Sequence, residues 1–330
     1  MSTTNPSTAN QASATSFNAE ESKNILIKQI YHAATCTIYI TLSREEAEKY
    51  VPASMKRPLS LKRLRQSLQA IKVISHEVQI RRQINHAANT EIKALKLIHN
   101  PGHENLLTFL DHDTTGPNAR WHTTPLCSLN NLAAIISHWQ QTTTHAPSTA
   151  FAFHLGASLA QALLYLHGGI RENGKVVSNW PAIAHRDFHP GNIFFRPHEV
   201  AGSYKDYPCI VLSDFDNAEI ETPSRTRAHI VQFQGKDLKD LSVHMSIVSH
   251  HVGGPGFARW VQHLGEIERP EKGAERYDNG LKALAGLAKV GLQRRTQLYQ
   301  PLEAGFLALF QQPAVSDEEL QSVLQGAGDV

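Results

Sequence analysis

The sequence predicts an α+β chain, β-rich with one helix over about residues 24–125 and mostly helical over about 126–325. Three patterns predict it. From Ile25 to Leu42, β-branched and aromatic residues alternate in short runs such as Ile38-Tyr39-Ile40, as a hairpin does. Phe151 to His167 is long and nearly uncharged, with Leu155, Leu159, Leu163 and Leu166 on one face, which marks a core helix. From Asp237 onward, four segments read as helices: Asp237–His250, Phe257–Glu268, Asn279–Leu298 and Asp317–Gln325.

The other elements follow in order. Residues 1–23 are rich in Ser, Thr, Asn and Ala and bury too little apolar surface to offset the entropy of ordering, so they are expected to be a disordered tail before a domain at 24–325. Ser43-Arg44-Glu45-Glu46 is a capping box that opens a short helix. Lys56, Arg57, Lys62, Arg63 and Arg65 cluster around Pro58 as a solvated loop and helix face. Leu68 to Ile74 is an apolar strand holding one lysine, Lys72, whose burial is costly unless it is paired. Ile84, Ala88, Ile92 and Leu95 recur at helical spacing and put Glu91 on a helix. Trp121 to Asn131 reads as a strand end and turn, and Ile170 to Trp180 as a loop or small hairpin. Ile210 to Leu212 is a short buried strand that delivers Asp214-Phe215-Asp216.

A chain of 330 residues, 41% hydrophobic, suits one large or two modest globular domains. A net charge of +2 gives no reason to expect nucleic acid or an acidic membrane surface as partner. Cys36, Cys127 and Cys209 are far apart, which fits a reducing compartment and neither a disulfide framework nor a thiolate metal site. No apolar run is expected to span a membrane, and the first 22 residues lack the features of a signal or transit peptide, so the expected location is cytoplasmic or nuclear. The 19 histidines include no H-E-x-x-H spacing.

The stretch Ala-His-Arg-Asp-Phe-His-Pro-Gly-Asn, ending at Asn192, carries the chemistry. His185, Arg186 and Asp187, with Asn192 five residues after the aspartate, match H-R-D followed by four residues and N. With Asp214-Phe215 and with Ala70-Ile71-Lys72, this resembles the protein kinase superfamily over about residues 25–320. The resemblance implies a two-lobed fold, with a small β-rich N-lobe carrying helix αC and a larger, mostly helical C-lobe. It implies ATP and Mg²⁺ as cofactors and transfer of the γ-phosphate to a hydroxyl acceptor, as in serine/threonine protein kinases. Lys72 would contact the α- and β-phosphates and Glu91 would pair with it. Asp187 would be the base, and Asn192 and Asp214 would hold Mg²⁺. Ala33, Ala34, Ile38 and Ala70 would line the nucleotide site, and Trp121 to Cys127 falls at the hinge. His185 and Arg186 would brace the loop, with Arg186 counted among the catalytic group. Asp237 with Leu241 resembles the start of helix αF, whose aspartate braces the same loop. His189 stands where the lysine that assists the γ-phosphate is usual.

The departures define two alternatives. Ile30 to Ile38, aligned with the glycine-rich loop, has no glycine, so the side chains of Tyr31, Ala33 and Cys36 hold the backbone away from phosphates. Asp216 replaces the D-F-G glycine, A-P-E is missing, and the segment from Asp214 to Asp237, with Thr222, Ser224 and Thr226, is short. These features suit a pseudokinase acting as a binding or scaffolding module. Phe188-His189-Pro190-Gly191-Asn192 is also similar to small-molecule kinases of the aminoglycoside and choline type, so the acceptor is a protein or a small-molecule hydroxyl.

Overall fold

The computed structural model describes residues 23–54, 59–75, 77–78, 90–115, 119–141, 146–197, 207–267, 274–310 and 315–328. The expected tail up to residue 22, the basic residues Lys56 and Arg57, and Ile84 and Ala88 lie outside the described residues. In chain order the elements begin with strands β1 (Asn24–His32) and β2 (Cys36–Ser43), helices α1 (Arg44–Ser54) and α2 (Leu59–Gln66), β3 (Gln69–Ile74) and α3 (Thr90–His99). Then come β4 (Asp111–His112), β5 (Trp121–Pro125), α4 (Leu132–Gln141), α5 (Thr149–Gly168), β6 (Ile183–Ala184), a 3₁₀ turn at Pro190–Asn192, β7 (Ile193–Arg196), β8 (Cys209–Leu212) and β9 (Glu219–Ile220). The chain continues with α6 (Arg227–Val252), α7 (Pro255–Glu266), α8 (Ala274–Gln297), α9 (Ala304–Ala308) and α10 (Asp317–Gly328). The chain is mixed α and β, with a five-stranded antiparallel sheet.

Contacts divide the chain into two units. One takes the described residues before 89, Leu110–Leu126 and those from Val315; the other takes Asn89–Phe109 and Cys127–Ala314. The units interleave along the sequence: the helix carrying Glu91 belongs with the second, and the C-terminal helix α10 with the first.

In the first unit the sheet runs β1-β2-β3-β5-β4. The β1–β2 hairpin shifts register twice, between Leu26 and Lys28 and between Gln29 and Tyr31. Ser43 caps α1 by accepting the Glu46 N–H at 3.1 Å. Glu46 turns to Lys49 instead of closing the reciprocal half of a capping box. Arg65 of α2 bonds both the Val315 carbonyl and the Asp317 carboxylate, and Lys28 pairs with Glu319 at 3.2 Å, tying α10 to the sheet.

The second unit is built on α5. Ser148 accepts the Phe151 N–H at 3.1 Å to start the helix, and Gly169, at φ +64, ends it by donating to the Tyr165 carbonyl. The expected absence of a membrane-length apolar run does not hold. Thr149–Gly168 is long and apolar enough to cross a bilayer, with mean hydropathy 1.3, but 94% of that window is buried. It is a core helix, apolar on every side because α6, α7 and α8 pack around it. Phe195, Tyr207, Phe306 and Phe310 crowd the Phe151 ring.

A second correction concerns α6. It begins at Arg227, so Asp237 lies in its interior and not at its start. Thr226 makes no side-chain cap, and Gly235 interrupts the apolar pattern, so nothing in the sequence marks the first turns. The segment Ile170–Trp180 is a small hairpin, bridged at Ile170 and Val176.

Candidate active site

The loop from His185 to Asn192 leaves β6 and enters β7, and β7 pairs antiparallel with β8. That pairing sets Asn192 beside Ser213. The Asn192 carbonyl accepts the Ser213 N–H at 2.9 Å and its hydroxyl at 3.1 Å. The His185 Nε2–H donates to the Ser213 carbonyl at 2.8 Å, while Nδ1 accepts the Asp187 N–H at 3.3 Å. One nitrogen donates and the other accepts, so the ring is neutral. Burial holds its pKa below the usual imidazole range. Phe215, fully buried, packs against the same ring.

Asp237 fixes the base of the loop. Its carboxylate is fully buried and accepts the His185 N–H at 2.7 Å, the Arg186 N–H at 2.8 Å and His167 Nε2 at 3.1 Å. Those bonds hold Arg186 at φ +68, a left-handed conformation that L residues adopt at a cost of about 1–3 kcal/mol. Asp214 is also left-handed, at φ +63. The Arg186 guanidinium binds Glu219 at 2.9 Å and stacks over Phe233 at 4.4 Å. Glu219 also takes Arg225. These contacts tie the Arg186 side chain to β9 and α6.

Asp187 is 38% exposed. Its Oδ2 accepts from Asn217 Nδ2 at 3.3 Å and lies 3.5 Å from Asn192 Nδ2. Asn192, only 7% exposed, donates its Nδ2 to the Asp187 carbonyl at 3.0 Å, which leaves its Oδ1 as an acceptor. His189 Nδ1 accepts the Gly191 N–H at 3.1 Å, and its Nε2 lies 3.8 Å from Asp187 Oδ2, beyond hydrogen-bond range. A carboxylate held by two amides, open to solvent, is suited to receiving a proton from a hydroxyl.

A second group forms next to this one along the chain. Glu91, 2% exposed in the first turn of α3, Asp214 and Asp216 present carboxylate oxygens within 4.8 Å of one another. These are hard oxygen donors of the kind Mg²⁺ and Ca²⁺ take, and they repel one another at this range. An acidic cluster of this kind does not by itself specify a cation.

Of the expected site residues, Asp187, Asn192 and His189 are brought together, as are Asp214 and Glu91. Lys72, Ile38 and Ala70 belong to the first unit. Ile38 pairs with Lys72, Ile40 with Ala70, and His122 and Thr124 complete the rows, so all six share one sheet face. Ala33 and Ala34 form the β1–β2 turn, where the Ala33 N–H donates to the Cys36 carbonyl at 2.9 Å. Sequence reasoning missed Asn217, Ser213 and Glu219. Asn217, three residues beyond Asp214, was open to discovery as an amide beside a candidate carboxylate; Ser213 and Glu219 carry no distinguishing signal.

Scanned against protein-family models the chain matches none, and a search of the curated proteins returns no match.

Proposed function

We propose that the chain is an ATP-dependent phosphotransferase of the protein kinase type, with Asp187 as the base that receives the acceptor's hydroxyl proton. The observation that carries this reading is the setting of Asp187: a half-exposed carboxylate, oriented by Asn217 and Asn192, on a loop pinned by the buried Asp237. Phosphoryl transfer demands little covalent chemistry from a protein and much positioning, and this loop is built for positioning. The reading takes the five-stranded sheet as part of the small lobe of that fold and α5 to α8 as part of its large lobe. It assigns Lys72 to the α- and β-phosphates. Bound Mg²⁺ would neutralise phosphate charge, with Asn192 Oδ1 and the Asp214 carboxylate as its ligands, both oxygen donors of the kind that ion takes. The chain's own residues align the acceptor oxygen, take its proton at Asp187 and hold the loop rigid. The setting this implies is cytoplasmic or nuclear, where three free thiols stay reduced.

A second reading, a pseudokinase that binds without turnover, is favoured by the β1–β2 turn. No glycine occurs there, and the Ala33 amide is spent inside the hairpin. One pair of measurements separates the two: thermal stabilisation by Mg²⁺-ATP, and transfer of labelled γ-phosphate to generic acceptors. The phosphotransferase reading expects both, with Asp187→Asn lowering transfer about 10²–10⁴-fold. Transfer unchanged in that variant removes Asp187 from its role. Stabilisation with no transfer to any acceptor selects the pseudokinase.

A further inference from the structure

Arg186 is held by its backbone and by its side chain. Its N–H bonds Asp237, its carbonyl accepts from Lys236 Nζ at 3.2 Å, and its guanidinium binds Glu219 and lies over the Phe233 ring. Glu219 stands opposite Ala184 in the β6–β9 pair, with its side chain only 8% exposed. Arg186 binds one oxygen of that carboxylate, and the guanidinium of Arg225 binds the other. Two cations this close repel one another unless an anion sits between them. A closed turn brings Arg225 back to this place. The Thr222 and Arg225 backbones bond each other twice at 3.0 Å, and the Arg225 N–H also meets Thr222 Oγ1 at 3.1 Å. Glu221 fastens the base of the strap to Arg227 at 3.0 Å and to the Ala182 N–H at 2.9 Å.

We propose that Glu219 is a positioning residue, which holds the Asp187 loop through Arg186 without any added phosphate. The proposal rests on the phosphotransferase reading and concerns the regulation of that site. Phosphorylation orders a loop by giving an arginine a phosphate partner. Thr222, Ser224 and Thr226 are exposed hydroxyls in or beside the strap. Yet the guanidinium groups of Arg186 and Arg225 already share a carboxylate that the chain itself supplies. A phosphate on the turn would compete with Glu219 for Arg225. Asp187 follows Arg186 directly, so a turn of Arg186 swings the base. A misplacement of about 1 Å at a reacting group costs about 10²-fold in rate, and that loss falls on the transfer step.

The test uses the full chain, before and after phosphatase treatment checked by intact mass. Transfer of labelled γ-phosphate is measured with casein, choline and kanamycin as acceptors, and rates are taken per folded molecule. The expected result is that the phosphate-free wild type transfers as well as the untreated protein. Glu219→Gln lowers kcat at least about tenfold, while KM for ATP and Mg²⁺-ATP thermal stabilisation stay unchanged. Glu219→Asp, which keeps the charge, lies closer to wild type than Glu219→Gln does. A merely structural Glu219 would lower the urea midpoint and leave kcat per folded molecule alone. Arg225→Gln removes only the exposed partner and lowers kcat about twofold to fivefold, as a partly exposed ion pair would; it carries the test if Glu219→Gln does not fold. Transfer lost on dephosphorylation overturns the proposal, as does unchanged kcat in Glu219→Gln or in Arg225→Gln, or a Glu219→Asp no better than Glu219→Gln. In each of those cases the untreated wild type still transfers and the phosphotransferase reading stands. A wild type that transfers to none of the acceptors overturns that reading and the positioning role together.

Discussion

Replacing Asp237 with asparagine changes one oxygen and tests whether the loop is held from below. The wild-type carboxylate, itself fully buried, accepts two backbone N–H groups at 2.7 and 2.8 Å and the His167 ring nitrogen at 3.1 Å. Asparagine offers one acceptor oxygen and one NH₂. The less costly orientation keeps the oxygen on His185 and His167 and turns the NH₂ toward the Arg186 N–H. That loses one hydrogen bond to a carboxylate, about 1.5–3 kcal/mol, and leaves two donors facing each other, about 1–3 kcal/mol more. The sum is about 2.5–6 kcal/mol, which brackets the roughly 3–5 kcal/mol usual for breaking a buried charged contact. The Arg186 N–H then loses the Asp237 bond that offsets its left-handed conformation, and that peptide relaxes. Urea unfolding followed by tryptophan fluorescence reads the stability, and amide exchange reads the Arg186 N–H. Stability within about 1 kcal/mol of wild type, or unchanged protection of that amide, refutes the bracing role.

Three further perturbations have a worked sign. A Cβ on Gly156 would meet the Trp260 ring at 2.7 and 2.8 Å, so Gly156→Ala overpacks α5 against α7 and lowers the urea midpoint by the equivalent of about 1–3 kcal/mol. Burial, aided by Arg171, pushes His103 down to about 4. The unfolded chain thus binds a proton that the folded chain refuses, and stability, complete above about pH 6.5, falls as pH drops toward 4; His103→Gln makes urea-midpoint profiles flatter across that window. Burial pushes the Asp113 carboxyl up, but Arg120 and Thr115 outweigh it and hold the group well below the usual carboxylate range. Its contribution is present above the unfolded carboxylate value and lost as pH falls through the folded one. Asp113→Asn therefore lowers stability at pH 7 and makes the acid limb below about pH 4 shallower.

The elements most legible in the sequence were those whose pattern is local. The β1–β2 hairpin announces itself by β-branched alternation, and α5 by its long, nearly uncharged run from Phe151 to His167. Helix α6 was legible only in its second half, because its early turns mix Arg227, His229 and Lys236 with a glycine and lack a side-chain cap. The membership of α10 was not legible at all. It depends on Arg65 reaching Val315 and Asp317, a contact across the length of the chain that no window of sequence encodes.

In the candidate site the proposed reacting groups carry a sequence signal and the residues that contact them do not, for a physical reason. Asp187, Asn192 and Asp214 are spaced by the chemistry they would perform, and that spacing is local. Supports are chosen by what happens to lie behind them after folding. Glu219 matters because β9 pairs with β6 and sets its carboxylate against Arg186. Ser213 matters because β7 and β8 pair in one register, in which its N–H and hydroxyl both meet the Asn192 carbonyl. The stretch from Asp214 to Asn217 joins the two cases. Asp214 and Asp216 turn toward Glu91, Phe215 is buried against His185, and Asn217 reaches back to Asp187. Asp216 thus has a specific neighbourhood of two other carboxylates. If it serves the nucleotide site, Asp216→Gly changes the Mg²⁺ dependence of ATP stabilisation while leaving the Asp187–Asn217 contact intact. A Mg²⁺ profile identical to wild type would mean that the third carboxylate has no part in holding the ion.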